Sequence, residues 1–378
     1  MRIAWISYDF GEYCVRQAAA LADQHQVLLA LDAEELDASR DKAGDAELYA
    51  IEPARLREPM KQAKCIKRLV SRVESFRPDV VHIQHGRLWF NLLGIPRLRE
   101  YPLVVTVHDV RRHSGDRLSR KTPQWVMDRG PQMADRVIVH GGKLKQEAVK
   151  QLGLPLDRID VVPHVAIGLP EKAPESIEDP DTILFFGRIW PYKGLRYLLE
   201  AAPLVAQRFP NARFVVAGQG EDIAAYRSLV LEGVRVDFIN RWIDDRERSR
   251  LFSECAMAAL PYTEATQSGV TPVAYAHGKP VVATDVGALS ECVRHGETGL
   301  LVPPRDPAAL ADAIVSLLAD PERRHDLGAA GRRLVDTEWS PEAVAAKTLR
   351  CYERAIASRA VSAARRTPRP TVFSSKAL

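Results

Sequence analysis

The sequence of 378 residues has few cysteines, and they are not arranged to hold a disulfide framework or a structural zinc ion. Their number is odd and no C-x-x-C pair occurs. Free thiols are typical of a reducing compartment, so we expect a cytoplasmic protein. The cysteines are Cys14, Cys65, Cys255, Cys292 and Cys351.

Long hydrophobic runs are also absent. No apolar run reaches the roughly 18 to 20 residues that a helix needs to span a bilayer, which excludes an integral membrane protein. The chain opens on the strand-like run MRIAWI, and we expect no secretory signal. The formal net charge of +4 is too small to indicate nucleic acid, and no helix-turn-helix or zinc-finger pattern accompanies it. No G-x-G-x-x-G follows the first predicted strand of either half, which argues against a dinucleotide-dependent oxidoreductase.

Short apolar runs recur along the whole chain and alternate with helix-length amphipathic segments. Runs of β-branched and aromatic residues without strict polar alternation favour strands that are buried on both faces. Their alternation with helices predicts parallel sheets, and hence an α/β protein of two doubly wound, Rossmann-like domains that face each other across a cleft. Strands are predicted at 2–8, 27–31, 79–84, 103–108, 136–140, 182–187, 213–217, 234–239, 256–260 and 280–284.

The alternation pauses in a stretch rich in proline and acidic residues, which we interpret as a linker. Ser340 as N-cap and Pro341 as first helical residue predict a C-terminal helix, which we expect to pack toward the first domain. The last residues are basic, contain no acids, and are expected to be disordered. The predicted parts are a domain at 1–165, a linker at 166–181, a domain at 182–340, a helix at 341–359 and a tail at 360–378.

Loops that follow strands in the second domain carry groups suited to an anion. In FFGRIWPYKG, Gly187 permits close backbone approach, and Arg188 and Lys193 suit a diphosphate, although two solvated surface cations are an alternative. The Ser-Gly pair at 268–269 opens a predicted helix and frees backbone N–H groups, as a routine turn also does. Glu291 can accept hydrogen bonds from hydroxyls, or it is a first-turn acid favoured by the helix dipole.

The motifs FFGRIWPYKG, LPYTEATQSGV, HGKPVVATDVGALSE and HGETGLLVPPRDPAALADAI occur in that order. Over nearly all of residues 180–320 they resemble the group 1 retaining glycosyltransferases of GT-B fold, which use nucleotide-sugar donors. FRPDVVHIQH, PLVVTVHDV and ADRVIVHGGKLKQEAV agree more loosely. The resemblance implies a metal-independent, hexosyltransferase-like enzyme of glycan or glycolipid biosynthesis that needs no cofactor, with the acceptor on the first domain. A catalytically silent binding partner or scaffold is the alternative.

The resemblance also implies roles for individual residues. Arg188 and Lys193 would contact the donor diphosphate, and His108 would act beside them, unless it is a structural histidine at a strand end. The implied donor-binding residues are Gly187, Glu264, Gln267, Ser268, Gly269, Val270 and Glu291. The implied acceptor-side residues are Gly11, Asp109, Arg111 and Arg112. The acceptor is expected to be a glycan, a lipid-linked sugar or a small molecule.

One departure from the family concerns a pair of glutamates eight positions apart. The register set by Gly278-Lys279-Pro280 places Ala265 and Val273 at those positions, and counting from Glu264 does not restore the pair. In the family the second glutamate is associated with the nucleoside ribose, a role that Val273 cannot fill. Glu291 is then the best remaining acidic candidate for the nucleoside side.

No metal site is expected. The single D-x-D, Asp179-Pro180-Asp181, falls in the linker, and Arg188 with Lys193 would replace a cation. Histidines cluster near predicted strand ends without the spacing of a known metal site. They are His82, His85, His113, His140 and His164.

Basic residues concentrate at 55–77, where eight lysines and arginines face two glutamates, a local charge of +6. Such a helical face can bind an anionic membrane surface or an anionic acceptor, or it can be solvated. A cytoplasmic protein with a peripheral position at the inner face of the membrane is therefore one of the two localisations expected, and a purely cytoplasmic protein is the other. The second basic group, beside His108, comprises Arg111, Arg112, Arg117, Arg120 and Lys121.

Overall fold

The computed structural model of the protein describes residues 1–111, 122–168, 177–266 and 268–366, with side chains described to residue 361. Two parallel sheets are formed in these ranges. The first contains β1 (Arg2–Ser7), β2 (Gln26–Asp32), β3 (Glu47–Ile51), β4 (Val80–His85), β5 (Leu103–Val107), β6 (Arg136–Val139) and β7 (Ile159–Val161). The second contains β8 (Thr182–Phe186), β9 (Arg213–Ala217), β10 (Arg235–Ile239), β11 (Met257–Leu260), β12 (Val281–Thr284) and β13 (Gly299–Val302).

Helices connect the strands and cover both faces of each sheet. The helices of the first domain are α1 (Gly11–Ala22), α2 (Ala33–Asp37), α3 (Pro59–Phe76), α4 (Leu88–Leu93), α5 (Ile95–Leu98), α6 (Gln124–Met133) and α7 (Gly142–Leu152). Those that follow are α8 (Leu195–Arg208), α9 (Ala224–Arg227), α10 (Asp245–Glu254), α11 (Val270–Ala276), α12 (Leu289–Cys292), α13 (Pro307–Leu318), α14 (Pro321–Thr337) and α15 (Pro341–Arg366). None of the helices in the described ranges combines the length and the apolar character that a bilayer span requires.

Both sheets are doubly wound, as predicted. The strand order is β3-β2-β1-β4-β5-β6-β7 in the first sheet and β10-β9-β8-β11-β12-β13 in the second, with every pairing parallel. All ten predicted strands are present. The sequence analysis missed β3, β7 and β13, each of which lies at an edge of its sheet.

The sheets are buried on both faces, which explains the missing polar alternation in their sequences. In β1, Ile3 and Trp5 belong to one apolar cluster, while Ala4 and Ile6 belong to another on the opposite face. All four side chains are fully buried.

The last helix, α15, leaves the second domain and lies against the first. Tyr352 Oη lies 2.7 Å from Nδ1 of the buried His82, and Arg359 Nε donates to Asp135 Oδ2 at 2.8 Å. The helix continues to Arg366, past the end predicted at residue 359, because the segment AVSAARR consists mostly of good helix formers. The predicted disordered tail is thus helical over its first residues, and residues 367–378 lie outside the described range.

Candidate functional site

Each sheet has a switch point, where the winding of the chain reverses. It lies between β1 and β4 in the first sheet and between β8 and β11 in the second. Ligands of doubly wound proteins bind in the crevice outside the carboxyl ends of the strands at such a point, because helix N-termini direct free N–H groups there. The loops after β8 and β11 hold the residues that the sequence marked for an anion.

The loop after β8 is folded tightly against the end of β11. Gly194 has a φ of +67°, and a methyl group on it would lie 1.9 Å from the Pro261 carbonyl oxygen, so only glycine fits. This turn brings Lys193 Nζ to 3.8 Å from the centre of the Tyr262 ring, a cation–π contact. Burial lowers the pKa of Lys193 to about 8, and the charge of the exposed Arg188 contributes. The two cations thus lie together at the switch point.

The loop after β11 contacts the first domain. The Val270 N–H donates to Ser268 Oγ at 3.2 Å, and that hydroxyl lies 3.5 Å from Tyr262 Oη, so the start of α11 is held beside the Lys193 side chain. Thr266 Oγ1 donates to Asp109 Oδ1 across the cleft. Asp109 also acts to raise the pKa of Lys193, which places a carboxylate of the first domain within electrostatic range of this ammonium group.

Glu291 forms a second contact across the cleft. Its carboxylate accepts hydrogen bonds from the backbone N–H groups of Gly142 at 2.5 Å and Lys143 at 2.6 Å, at the N-terminus of α7. A methyl group on Gly141 would lie 2.8 Å from Glu291 Oε2, so this glycine leaves room for the carboxylate. Lys143 Nζ donates to Ser290 Oγ at 2.6 Å. Glu291, expected at the donor nucleoside, here holds the two domains together. We call this contact the clasp.

Histidines occupy the carboxyl ends of four neighbouring strands. His85 ends β4, His108 and His140 follow β5 and β6, and His164 follows β7. The ring of His140 lies 4.8 Å from that of His108 and 5.3 Å from that of His164. Burial lowers the pKa of His140 to about 3 and of His164 to about 4, and it holds the pKa of His108 well below its usual value. These imidazoles are therefore neutral at neutral pH.

His108 is fixed by the loop after β1. The ring of Phe10 stacks on it with centroids 3.9 Å apart, and Gln84 Nε2 lies 2.8 Å from His108 Nε2. The N–H of Gly11 donates to Glu35 Oε2 at 2.7 Å. The first-domain side of the cleft is thus rigidly packed around a neutral histidine.

The remaining expected residues are placed as follows. Glu264 is partly buried, and Arg111 is exposed and donates to Gln151 of α7. Arg112 and Gln267 lie outside the described residues, as do His113, Arg117, Arg120 and Lys121.

The D-x-D of the linker has a local role. Asp179 accepts hydrogen bonds from Thr182 Oγ1 at 2.6 Å and from the Asp181 N–H at 3.1 Å, where the chain enters β8. Within the described ranges, no three histidine, cysteine or acidic side chains are grouped so as to hold a metal ion.

Sequence reasoning missed three parts of this site. Tyr262 and Thr266 lie within the motif LPYTEATQSGV, but nothing in that motif distinguishes them as site residues. Gly141 and Gly142 could have been found, since two glycines between a strand and a helix are typical of an anion-binding helix start.

Comparisons with known proteins agree with the geometry. The family model described as Glycosyl transferases group 1 matches residues 180–320, and the model Glycosyltransferase Family 4 matches residues 11–165. A D-inositol 3-phosphate glycosyltransferase of Pseudarthrobacter chlorophenolicus is 32% identical over 302 residues, which cover 74% of this chain and 71% of that protein. The chain belongs to the group 1 glycosyltransferases.

Two further proteins are similar to this glycosyltransferase. A phosphatidyl-myo-inositol mannosyltransferase of Mycobacterium leprae is 30% identical over 288 residues, 74% of each chain. The structure of Anabaena Alr3699/HepE in complex with UDP superposes with a TM-score of 0.70 at 20% identity, covering 93% of this chain and 100% of that one. The predicted GT-B fold and enzyme class are confirmed.

The clasp yields a first prediction. Replacing Glu291 with alanine removes two charge-assisted hydrogen bonds at a helix N-terminus, contacts that contribute about 1 kcal/mol at such a position. We expect the closed arrangement to lose about that much stability, so the radius of gyration measured by small-angle X-ray scattering increases. Glu297→Ala is the control, because Glu297 is exposed and its ion pair is with Arg294 of the second domain. Identical scattering for Glu291→Ala and the parent protein would contradict the clasp.

Proposed function

We propose that this glycosyltransferase moves a sugar from a nucleotide-diphosphate sugar to an acceptor hydroxyl, with retention of configuration and without a metal or other cofactor. The observation that carries the proposal is the ammonium group of Lys193, which lies half-buried against the Tyr262 ring beside Arg188 at the switch point of the second sheet. A cation that is partly withdrawn from water is unfavourable unless an anion compensates for it, and a diphosphate is the anion that these two groups suit. Retention rests on the likeness of the motifs to the retaining group.

The chemistry requires negative charge to be stabilised as it develops. The bond between the anomeric carbon and the diphosphate oxygen breaks, and its electron pair stays on that oxygen. The acceptor oxygen forms the new bond to the anomeric carbon and loses its proton. Arg188, Lys193 and the N–H groups that follow Ser268 are in position before the reaction, which is the electrostatic preorganisation that lowers such barriers. Two fixed cations supply the positive charge that a divalent ion supplies in other transferases.

The remaining donor and acceptor contacts are assigned from the positions of the candidate residues around the two cations. We assign binding of the nucleotide-sugar donor to Gly187, Glu264, Gln267, Ser268, Gly269, Val270 and Glu291. We assign binding of the acceptor to Gly11, Asp109, Arg111 and Arg112, with His108 between the two groups. Glu291 reaches the donor only when its carboxylate leaves the N-terminus of α7. The UDP bound by Alr3699/HepE supports a nucleotide donor.

The test begins with a mass-spectrometric screen for a nucleotide sugar that the protein consumes. Arg188→Ala with Lys193→Ala is expected to reduce that consumption at least 100-fold, since each group stabilises the leaving diphosphate. Arg196→Ala is the matched control, because this exposed arginine of α8 pairs with Glu200 at 2.6 Å. Unchanged turnover in the double variant would reject the proposal, and unchanged circular dichroism would show that the variant is folded.

The pKa of Lys193 gives a pH dependence. Burial depresses this pKa to about 8, so the ammonium form is present below that pH and is lost above it. We expect the KM for the donor to rise tenfold per pH unit above about 8, the limit for loss of one essential proton. Lys193→Arg keeps its charge, so its KM is expected to stay flat to about pH 10. A flat profile in the parent protein would show that the charge of Lys193 does not contribute to donor binding.

We further propose that the acceptor is presented at an anionic membrane surface. Helix α3 follows β3, an edge strand of the first sheet, and its Lys64, Lys67 and Arg68 are exposed. At its start, Met60 is 84% exposed and Leu56 41% exposed. Apolar side chains beside a basic face are typical of helices that lie on a membrane. The lipid acceptor named for the mannosyltransferase relative supports this proposal.

Liposome flotation tests this proposal. The protein is expected to float with vesicles of phosphatidylcholine and phosphatidylglycerol and not with phosphatidylcholine alone. Lys64→Gln with Lys67→Gln and Arg68→Gln should reduce binding at least tenfold, at about 1 kcal/mol for each basic residue. Arg208→Gln with Arg213→Gln and Arg250→Gln removes the same charge from the exposed surface of the second domain and should have little effect. Equal losses in the two triple variants would contradict a specific surface.

A further inference from the structure

His140, at the end of β6, has one satisfied and one unsatisfied ring nitrogen. Its Nδ1 lies 2.9 Å from the Val162 carbonyl oxygen, which can only accept, so Nδ1 carries the proton. In the neutral ring Nε2 then bears a lone pair. The side chain is 93% buried, and Nε2 has no hydrogen-bond partner among the residues that the structure describes.

The buried His82 and the half-buried His277 engage both ring nitrogens. His82 contacts Tyr352 Oη at 2.7 Å and Thr106 Oγ1 at 2.8 Å. His277 contacts the Val273 carbonyl at 2.9 Å and Ser249 Oγ at 3.0 Å. Buried polar atoms are nearly always hydrogen-bonded in native proteins, so the Nε2 of His140, unpaired within the described ranges, is available to a donor group of a bound ligand.

The position of His140 indicates where this donor comes from. The residues that follow it, Gly142 and Lys143, hold Glu291 of the second domain. Its neighbour His108 precedes Asp109, which bonds to Thr266 of the loop after β11. The ring thus lies where the first domain meets the two loops that we assign to the donor.

The chemistry of the free nitrogen restricts the ligand. A lone pair accepts from an O–H or N–H group and repels a phosphate oxygen, which is also an acceptor. Burial and the nearby His164 keep the pKa of His140 low, so the ring does not become a cation that would attract phosphate. A sugar carries several O–H donors.

We propose that His140 Nε2 accepts a hydrogen bond from a hydroxyl of the sugar that is transferred, and so contributes to the choice of donor. The proposal rests on the proposed function, because it requires a nucleotide sugar in the cleft. His140 acts here as a binding residue for the sugar and not for the nucleotide.

Isothermal titration of the full chain tests it with UDP-glucose, UDP-N-acetylglucosamine and GDP-mannose, each compared with UDP or GDP. Asparagine places its amide nitrogen near the position of Nδ1, so His140→Asn keeps a donor for Val162 and loses the acceptor. We expect the Kd of the nucleotide sugar to rise about tenfold, the effect of one lost hydrogen bond, with the Kd of the free nucleotide unchanged. His140→Gln, whose amide oxygen reaches the position of Nε2, should recover part of the affinity.

His277→Asn is the matched control, since it alters a half-buried, hydrogen-bonded histidine of the second domain. Equal Kd values for His140→Asn and the parent protein would overturn the inference, and so would an equal loss for the sugar and the free nucleotide. Binding of the free nucleotide also shows that a variant is folded. If the parent protein binds none of the three nucleotide sugars, the proposed function itself fails, and the inference fails with it.

Discussion

The half-buried ammonium group of Lys193 is the constraint on which the rest of the molecule depends. Removing a lysine charge from water is costly, and the lowered pKa of Lys193 reflects that cost. The aromatic face of Tyr262 offsets part of it within the second domain. The nearby carboxylate of Asp109 comes from the first domain. The electrostatic environment of Lys193 therefore combines groups from both domains.

Glu12 of the first domain contacts both the linker and the second domain. Its carboxylate accepts from the Gly168 N–H at 2.7 Å and lies 3.5 Å from Arg248 of α10. Burial acts to raise the pKa of Glu12, but Arg248, Arg16 and this N–H group outweigh it and the pKa is lowered. The Ala166 N–H donates to the Trp339 carbonyl, so the two crossings between the domains lie side by side. The loop after β1, the linker and the second domain thus share one junction.

The interior of the fold could be predicted because interior strands are buried on both faces and leave apolar runs in the sequence. Three of the four edge strands could not: Glu47–Ile51 has a single buried residue, Ile159–Val161 has three residues, and Gly299–Val302 begins with glycine. The loops of the site could be predicted because a parallel sheet sends all its carboxyl ends to one edge. Their partners across the cleft could not. The contacts of Thr266 with Asp109 and of Glu291 with α7 depend on how the domains dock, and no local pattern encodes docking.

Val273 occupies the position of the second glutamate of the family's pair, and its packing suits an apolar side chain. Val273 is buried, and a methyl group on Gly168 would lie 2.8 Å from its Cγ2, so this position faces the linker. An apolar side chain suits such a place, because a carboxylate there would need a partner of its own. The nearby Arg248 already pairs with Asp245 of its own helix at 3.1 Å and with Glu12 of the first domain at 3.5 Å. In this chain one acidic group beside the linker, Glu12, therefore comes from the opposite domain. The phosphate contacts proposed for this stretch come from backbone N–H groups at the start of α11 and need no side-chain carboxylate.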